Sequence, residues 1–213
     1  MKPADKQAET PSQQQVWNNI AEEWHQFKEK PSENVIDFLK GKKGNILDLG
    51  SGSGRHLVKL KDAKFYLADF SEEMIKLAKK KAEEKNIEAE FFVGDISKEK
   101  TPFKDNFFDY AIFIAALHCI KGEKARQTTL KELFRVLKPR ALALVNVWNK
   151  DSSKFKNKKK ESLIKWRDKG VRYYYFYTQK ELNEELTKAG FRIKTAYEPG
   201  TSISFIVEKS DKR

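Results

Sequence analysis

The chain has 213 residues, 39% hydrophobic and 35% charged, with a formal net charge of +12. That length fits one domain with a core large enough to need no staples, and the single cysteine, Cys119, excludes an internal disulfide and a cysteine-rich zinc site. The longest apolar run, Ala111–Ile120, is broken by His118 and too short to span a bilayer, and the polar start does not read as a secretory leader, so the expectation is a soluble cytoplasmic protein without membrane attachment.

Residues 1–12, with Pro3 and Pro11, read as a disordered tail, and 13–213 as one domain. Val16, Trp17, Ile20, Trp24 and Phe27 recur at spacings of three and four, which predicts an amphipathic helix closed before Pro31. Ser32 is placed to cap a short second helix that ends at Gly41 and Gly44. From Asn45 strands and helices alternate. Strands are predicted at Asn45–Leu49, Lys64–Phe70, Ala89–Val93, Phe108–Leu117 and Ala141–Trp148. Helices are predicted over about 54–62, from Ser71 to Asn86, and over about 123–137 before Pro139. Thr178 with Glu181 forms a capping box for a last helix ending at Gly190, and Phe191–Tyr197 and Ser202–Glu208 close the chain as strands. Such alternation means an α/β fold: a doubly wound, mostly parallel, Rossmann-like seven-stranded sheet. Its last two strands, joined only by a short turn, pair antiparallel, and helices at the N-terminus form a lid.

Half of the net charge lies between Asp151 and Arg172, where nine basic residues face three acidic ones. Such a cluster, including Lys158, Lys159 and Lys160, suits a polyanion such as RNA, or is a mobile lysine-rich insertion. The aromatic run Tyr173–Tyr177 beside it suits base stacking, or a strand packed on the core.

The strongest local signal is Asp48-Leu49-Gly50-Ser51-Gly52-Ser53-Gly54 between a strand and the predicted helix. Arg55 stands where the dinucleotide fingerprint has its third glycine, and no Gly-Lys-Ser/Thr follows. Asp69 ends the second strand and can accept both hydroxyls of a ribose. Asp95, after the third, can accept from an adenine amino group while Ile96 packs on the ring; Asp48 can face a cation. Three carboxylates would repel a pyrophosphate but suit S-adenosylmethionine. Each aspartate alone also reads as a helix cap or turn residue.

Ile46–Gly54, Ala68-Asp69-Phe70-Ser71, Gly94-Asp95-Ile96, Phe108-Asp109-Tyr110 and Leu133–Pro139 together resemble class I S-adenosylmethionine-dependent methyltransferases. Ile114-Ala115-Ala116-Leu117-His118, Val145–Trp148, Val171–Phe176, Trp17–Ala21 and Lys28–Pro31 further resemble the tRNA methyltransferases that esterify 5-carboxymethyluridine at the wobble position. The chain departs from that family at Arg140 and Ala141, where two glycines are usual, at Lys28, where arginine is usual, and at Cys119, where a second histidine is common.

The resemblance implies cofactor contacts from Asp48, Gly50, Ser51, Gly52, Gly54, Asp69, Phe70, Asp95, Ile96 and Ala115. It implies catalytic roles for His118 and Arg172, which otherwise read as a strand-end histidine bonded to backbone and a surface charge, and substrate contacts from Lys28, Trp148, Tyr173 and Tyr174, to which the basic cluster adds Lys158, Lys159 and Lys160. It also implies tRNA as partner, and a small zinc-binding activator subunit on the edge strand 89–93. There Phe91 and Phe92 are unusually apolar, unless the protein's own helices cover one on each side. A small-molecule O- or N-methyltransferase, and a non-enzymatic RNA-binding protein, are the alternatives on this scaffold.

Overall fold

The computed structural model describes residues 11–211. The expected tail therefore falls outside the described residues except at its end, where Ser12 caps the first helix. Helix α1 (Gln13–Phe27) begins with a reciprocal capping box between Ser12 and Gln15 and turns Val16, Ile20 and Ala21 inward. Ser32 occupies the N-cap position of α2 (Glu33–Leu39), but its side chain makes no capping bond.

Five strands follow in parallel register: β1 (Gly44–Leu49), β2 (Ala63–Asp69), β3 (Ala89–Val93), β4 (Phe108–Ile114) and β5 (Leu137–Trp148). Helices α3 (Glu72–Glu84) and α4 (Glu123–Val136) supply two of the crossovers; Ser71 caps α3 by accepting from the Met74 amide. After the β6 (Glu161–Trp166) and β7 (Gly170–Tyr175) hairpin come α5 (Gln179–Lys188), β8 (Phe191–Ala196) and β9 (Ser202–Lys209). The sheet order is β3-β2-β1-β4-β5-β9-β8, and β9 runs antiparallel to both neighbours, as expected.

Successive residues of each inner strand feed opposite faces, so these strands read as unbroken apolar runs. Leu47 and Phe113 join the core with Leu130, Leu133 and Leu182 of α4 and α5; Ile46 and Ile112 join the core with Phe38, Ile75 and Ala78 of α2 and α3. Edge strand β3 is divided in the same way: Phe91 packs on the second cluster and Phe92 on the first, so the protein's own core takes both rings.

Four expectations need correction. No helix forms over 54–62. Strands β1 and β2 are adjacent and in register, and the thirteen residues between Leu49 and Ala63 must supply both turns and a return of about 20 Å. The chain instead turns through Gly54 and Leu57 and then extends. Strand β4 stops at Ile114 because Ala115 adopts φ +56°, and Leu117–Cys119 forms a single 3₁₀ turn. Strand β5 starts at Leu137, with Pro139 inside its first residues, and Arg140 at φ +62° takes the left-handed conformation for which the related family uses glycine. The basic segment is an ordered hairpin from Glu161 onward, docked on α1 and separate from the main sheet.

Candidate active site

The carboxyl ends of β1, β2 and β4, with α1 above them, enclose a cavity of about 430 Å³. Gly50, Ser51, Gly52, Asp69, Phe70, Asp95, Ile96 and Ala115 line it, together with Trp17, Trp24, Lys28, Arg55 and Cys119. The structure thus brings together eight of the ten expected cofactor residues. The other two, Asp48 and Gly54, act from behind the wall. Gly54 (φ +70°) lies so close to α3 that a Cβ would meet the Ala78 backbone at 3.2 Å. Gly50 (φ +68°) lies against Ala116, whose Cβ would be 2.4 Å from one added there.

The hydrogen bonds of the glycine turn define what it can hold. The Gly50 and Ser51 amides both donate to the Ala68 carbonyl (2.7 and 3.1 Å), Gly52 donates to Asp69 Oδ2 (2.8 Å), and Gly54 donates to Ser51 O (3.2 Å). These amides are spent within the fold, and no helix N-terminus follows them. A phosphate cradle requires both. The missing helix over 54–62 is therefore part of the site's chemistry.

Asp69 also accepts from the Ser71 amide (2.9 Å), so each carboxylate oxygen has one partner and a lone pair left for a hydroxyl. Burial pushes its pKa up to about 6, against the pull of the backbone amides. Asp48 is 1% exposed, and its Oδ2 has no partner. Burial first, and then the charge of Asp69, push its carboxyl up to about 8. Such an acid ionises readily only when a cation comes near. Asp95 is turned partly on itself: Oδ1 accepts from the Ser97 amide and hydroxyl, and Oδ2 pairs with exposed Lys98 at 2.8 Å. Burial works against its ionisation, but those bonds hold it below the usual carboxylate range. The donor set is acidic with no phosphate grip, so it fits S-adenosylmethionine: Asp69 could take a ribose, Asp95 and Ile96 an adenine, and Asp48 could compensate positive charge.

Residues 46–140 match the family model described as a methyltransferase domain. The chain has TM-score 0.69 with a SAM-dependent methyltransferase from Methanosarcina mazei, at 24% identity, covering 86% of this chain and 100% of that one. The fold is that of a class I S-adenosylmethionine-dependent methyltransferase. The cofactor of this fold is S-adenosylmethionine.

A methyltransferase solved in complex with the Trm112 methyltransferase activator of Haloferax volcanii gives TM-score 0.74 at 15% identity, covering 95% of this chain and 99% of that one. Among sequence relatives, the tRNA (carboxymethyluridine(34)-5-O)-methyltransferase alkbh8 of Xenopus tropicalis is 32% identical over 147 residues, 68% of this chain and 22% of that protein. The ubiquinone/menaquinone biosynthesis C-methyltransferase UbiE of Rickettsia bellii is 33% identical over 140 residues, 58% of this chain and 55% of that protein. The chain thus spans about a fifth of the first relative's length and about half of the second's.

The expected catalytic and substrate residues are placed as follows. His118 lies on the 3₁₀ turn and is 1% exposed; its Nδ1 accepts from the Trp148 amide at 3.1 Å. Burial lowers its pKa to about 3, so it is neutral, with its proton on Nε2. Trp148 and Tyr174 stack on each other, with centroids 4.3 Å apart, within a block that includes His118, Phe155 and Phe176. Neither lines the cavity, nor do His118, Arg172 and Tyr173. Tyr173 is buried, and Lys160 is paired with Glu181, while Lys158 and Lys159 are exposed.

Arg172 is 5% exposed and sits among the rings of Trp166 (4.7 Å), Tyr174 (5.1 Å), Trp24 (5.5 Å) and Trp17 (5.7 Å). Its Nη1 donates to the Tyr174 hydroxyl at 2.6 Å, its Nε has no partner, and no carboxylate pairs with it among the described residues. Sequence reasoning missed Trp17 and Trp24 as walls of the site. Their spacing of seven on one helix face reads as core, and only the docked hairpin makes them a cage. Among the described residues no cluster of His, Cys, Asp and Glu is placed to hold a metal, and no helix is long and apolar enough to cross a membrane.

Proposed function

We propose that the chain is an S-adenosylmethionine-dependent methyltransferase acting on a carboxylate, and that this carboxylate belongs to 5-carboxymethyluridine at the wobble position of tRNA. The observation that carries the anionic acceptor is Arg172, a buried guanidinium without a counter-ion, with two of its ring neighbours forming cavity wall. The four rings and the Tyr174 hydroxyl offset part of the cost of burying this charge, but none of them supplies a countercharge, which suits an anion arriving with the substrate.

S-adenosylmethionine supplies an electrophilic methyl group whose transfer leaves a neutral thioether. The chain's own residues orient the acceptor without taking a proton from it. His118 is held neutral and is too weak a base to deprotonate a hydroxyl, and burial pushes the Cys119 thiol up to about 12. A carboxylate, ionised at neutral pH with a pKa near ~4, needs no base. Arg172 and His118 lie behind the cavity wall, so their charge and dipole favour the carboxylate without neutralising it, and a direct bond through Arg172 Nε or His118 Nε2–H requires that wall to open.

The RNA reading draws support from the carboxymethyluridine relatives and from the basic segment with exposed Lys158 and Lys159. It places the protein in the cytoplasm with its tRNA, and an activator subunit of the kind in the Haloferax complex on edge strand β3, where Val93 is 41% exposed. Labelled S-adenosylmethionine, incubated with that activator and tRNA carrying carboxymethyluridine, should give an alkali-labile ester. No ester from this mixture would sink the reading.

A second reading is a small-molecule O- or N-methyltransferase; its small-molecule part is favoured by the UbiE match, which covers far more of the relative's length although that relative is a C-methyltransferase, and by an enclosed cavity sized for a small molecule. It predicts turnover without RNA and indifference to neutralising Lys158–Lys160.

A further inference from the structure

One aromatic side chain beside the cavity residues keeps most of its ring surface in solvent. Phe27, the last residue of α1, is 64% exposed. Its ring is nevertheless fixed: it stands edge-on to Trp166 at 5.7 Å and tilted to Trp24 at 6.3 Å, and Trp166 is anchored by Nε1–H donation to Glu23 at 2.8 Å. The Lys28 ammonium lies 4.9 Å from the centre of the ring. Both Lys28 and Trp24, the ring's neighbours, line the cavity.

The surroundings are cationic. Burial, then Arg55 and Lys154, hold the Lys28 ammonium below its ordinary pKa, which reflects like charges crowded together. No ion pair is made by Lys28, Arg55 or Lys154 among the described residues. Arg167 and Lys169 share the single carboxylate of Glu23. A protein-binding patch of useful size needs about 1,000 Å² and is depleted in lysine at its centre. One fixed ring among unpaired cations suits instead a π-face flanked by phosphates.

We propose that Phe27 is a stacking platform for the nucleobase next to the target nucleotide in single-stranded RNA, with Lys28, Arg55 and Lys154 taking the flanking phosphates. This rests on the RNA reading above and adds a contact that reading does not require. The test uses a wobble-loop RNA with 2-aminopurine placed in turn on each side of the target. Wild-type protein should quench one position strongly. Phe27→Ala should lose that quench and bind the RNA roughly tenfold more weakly, while Phe27→Trp retains both. Calorimetry with S-adenosylmethionine should not distinguish the three proteins. Equal quenching and affinity in Phe27→Ala and wild type would overturn the platform alone. Loss of concentration-dependent self-association in Phe27→Ala, with RNA binding intact, would overturn it in favour of a contact between copies. Wild-type quenching without ester formation would leave the platform and remove the esterification reading. No RNA binding by wild type would remove both.

Discussion

Gly50 is the residue least able to change. An alanine there would carry a positive φ and place its Cβ 2.4 Å from that of Ala116, a backbone-built part of the cavity wall. Gly50→Ala should lower stability by about 2 kcal/mol and abolish cofactor binding, checked by thermal melts and calorimetry. Arg140 is the opposite case. It already bears the cost of a left-handed conformation, so Arg140→Gly should be neutral to stabilising by up to about 1 kcal/mol, with activity unchanged. At Arg172 the expectation is split. Arg172→Gln should cut kcat/KM by roughly 10²-fold or more, the worth of a buried charge-assisted contact, yet leave the S-adenosylmethionine Kd and the melting temperature close to wild type. A large loss of stability with activity per folded molecule intact would show that the guanidinium is structural.

At the scale of elements, α1 is held to the hairpin at both ends: near its C-terminus by Glu23, which takes Trp166, Arg167 and Lys169, and at its N-terminus by the Gln13 side-chain amide. Gln13 Nε2 donates to the Val171 carbonyl at 3.0 Å, and its Oε1 accepts from the Tyr173 amide at 2.8 Å, so the side chain pairs with β7 as another strand would. Gln13→Ala should cost about 1–2 kcal/mol and raise hydrogen exchange in α1 and β6–β7 while the main sheet stays protected. Little of this junction was legible in the sequence. The strand–helix alternation, the Ser71 and Thr178–Glu181 caps and the antiparallel close were legible because period, cap and turn chemistry are local. The false helix at 54–62 came from extending the strand–helix alternation to the first connection; that thirteen residues must turn twice and return beside a paired strand is a long-range fact that no local pattern encodes. Asp48, Asp69 and the glycines could be placed because the strand-end pattern fixes them in space. That Trp148 and Tyr174 face each other instead of the cavity depends on a hairpin folding back across 3₁₀ turn and sheet, a long-range contact.

For the whole molecule, four buried groups set the pH response. Asp48 and Asp69 keep protons in the folded state that the unfolded chain loses above about 4. His56 and His118, both lowered to about 3 by burial, refuse protons that the unfolded chain takes up below about 6.5. Raised acids lose stability as pH rises through their folded pKa; depressed histidines lose it as pH falls below their unfolded one. The two effects oppose each other between about pH 4 and 6, whereas above 6.5 Asp48 acts alone. Stability of the free protein should therefore fall by about 2 kcal/mol from pH 6.5 to 8, and Asp48→Asn should flatten that fall in denaturant titrations. S-adenosylmethionine should bind more tightly over the same range, since its positive charge favours the ionised Asp48. The order of strands has a consequence of another kind. Because β9 lies between β5 and β8, a nascent chain leaving the ribosome exposes the open edge of β5 until residues 202–209 arrive. The C-terminal one of these strands is an interior one, so a product truncated before Ser202 should collect in inclusion bodies rather than survive as a smaller folded protein.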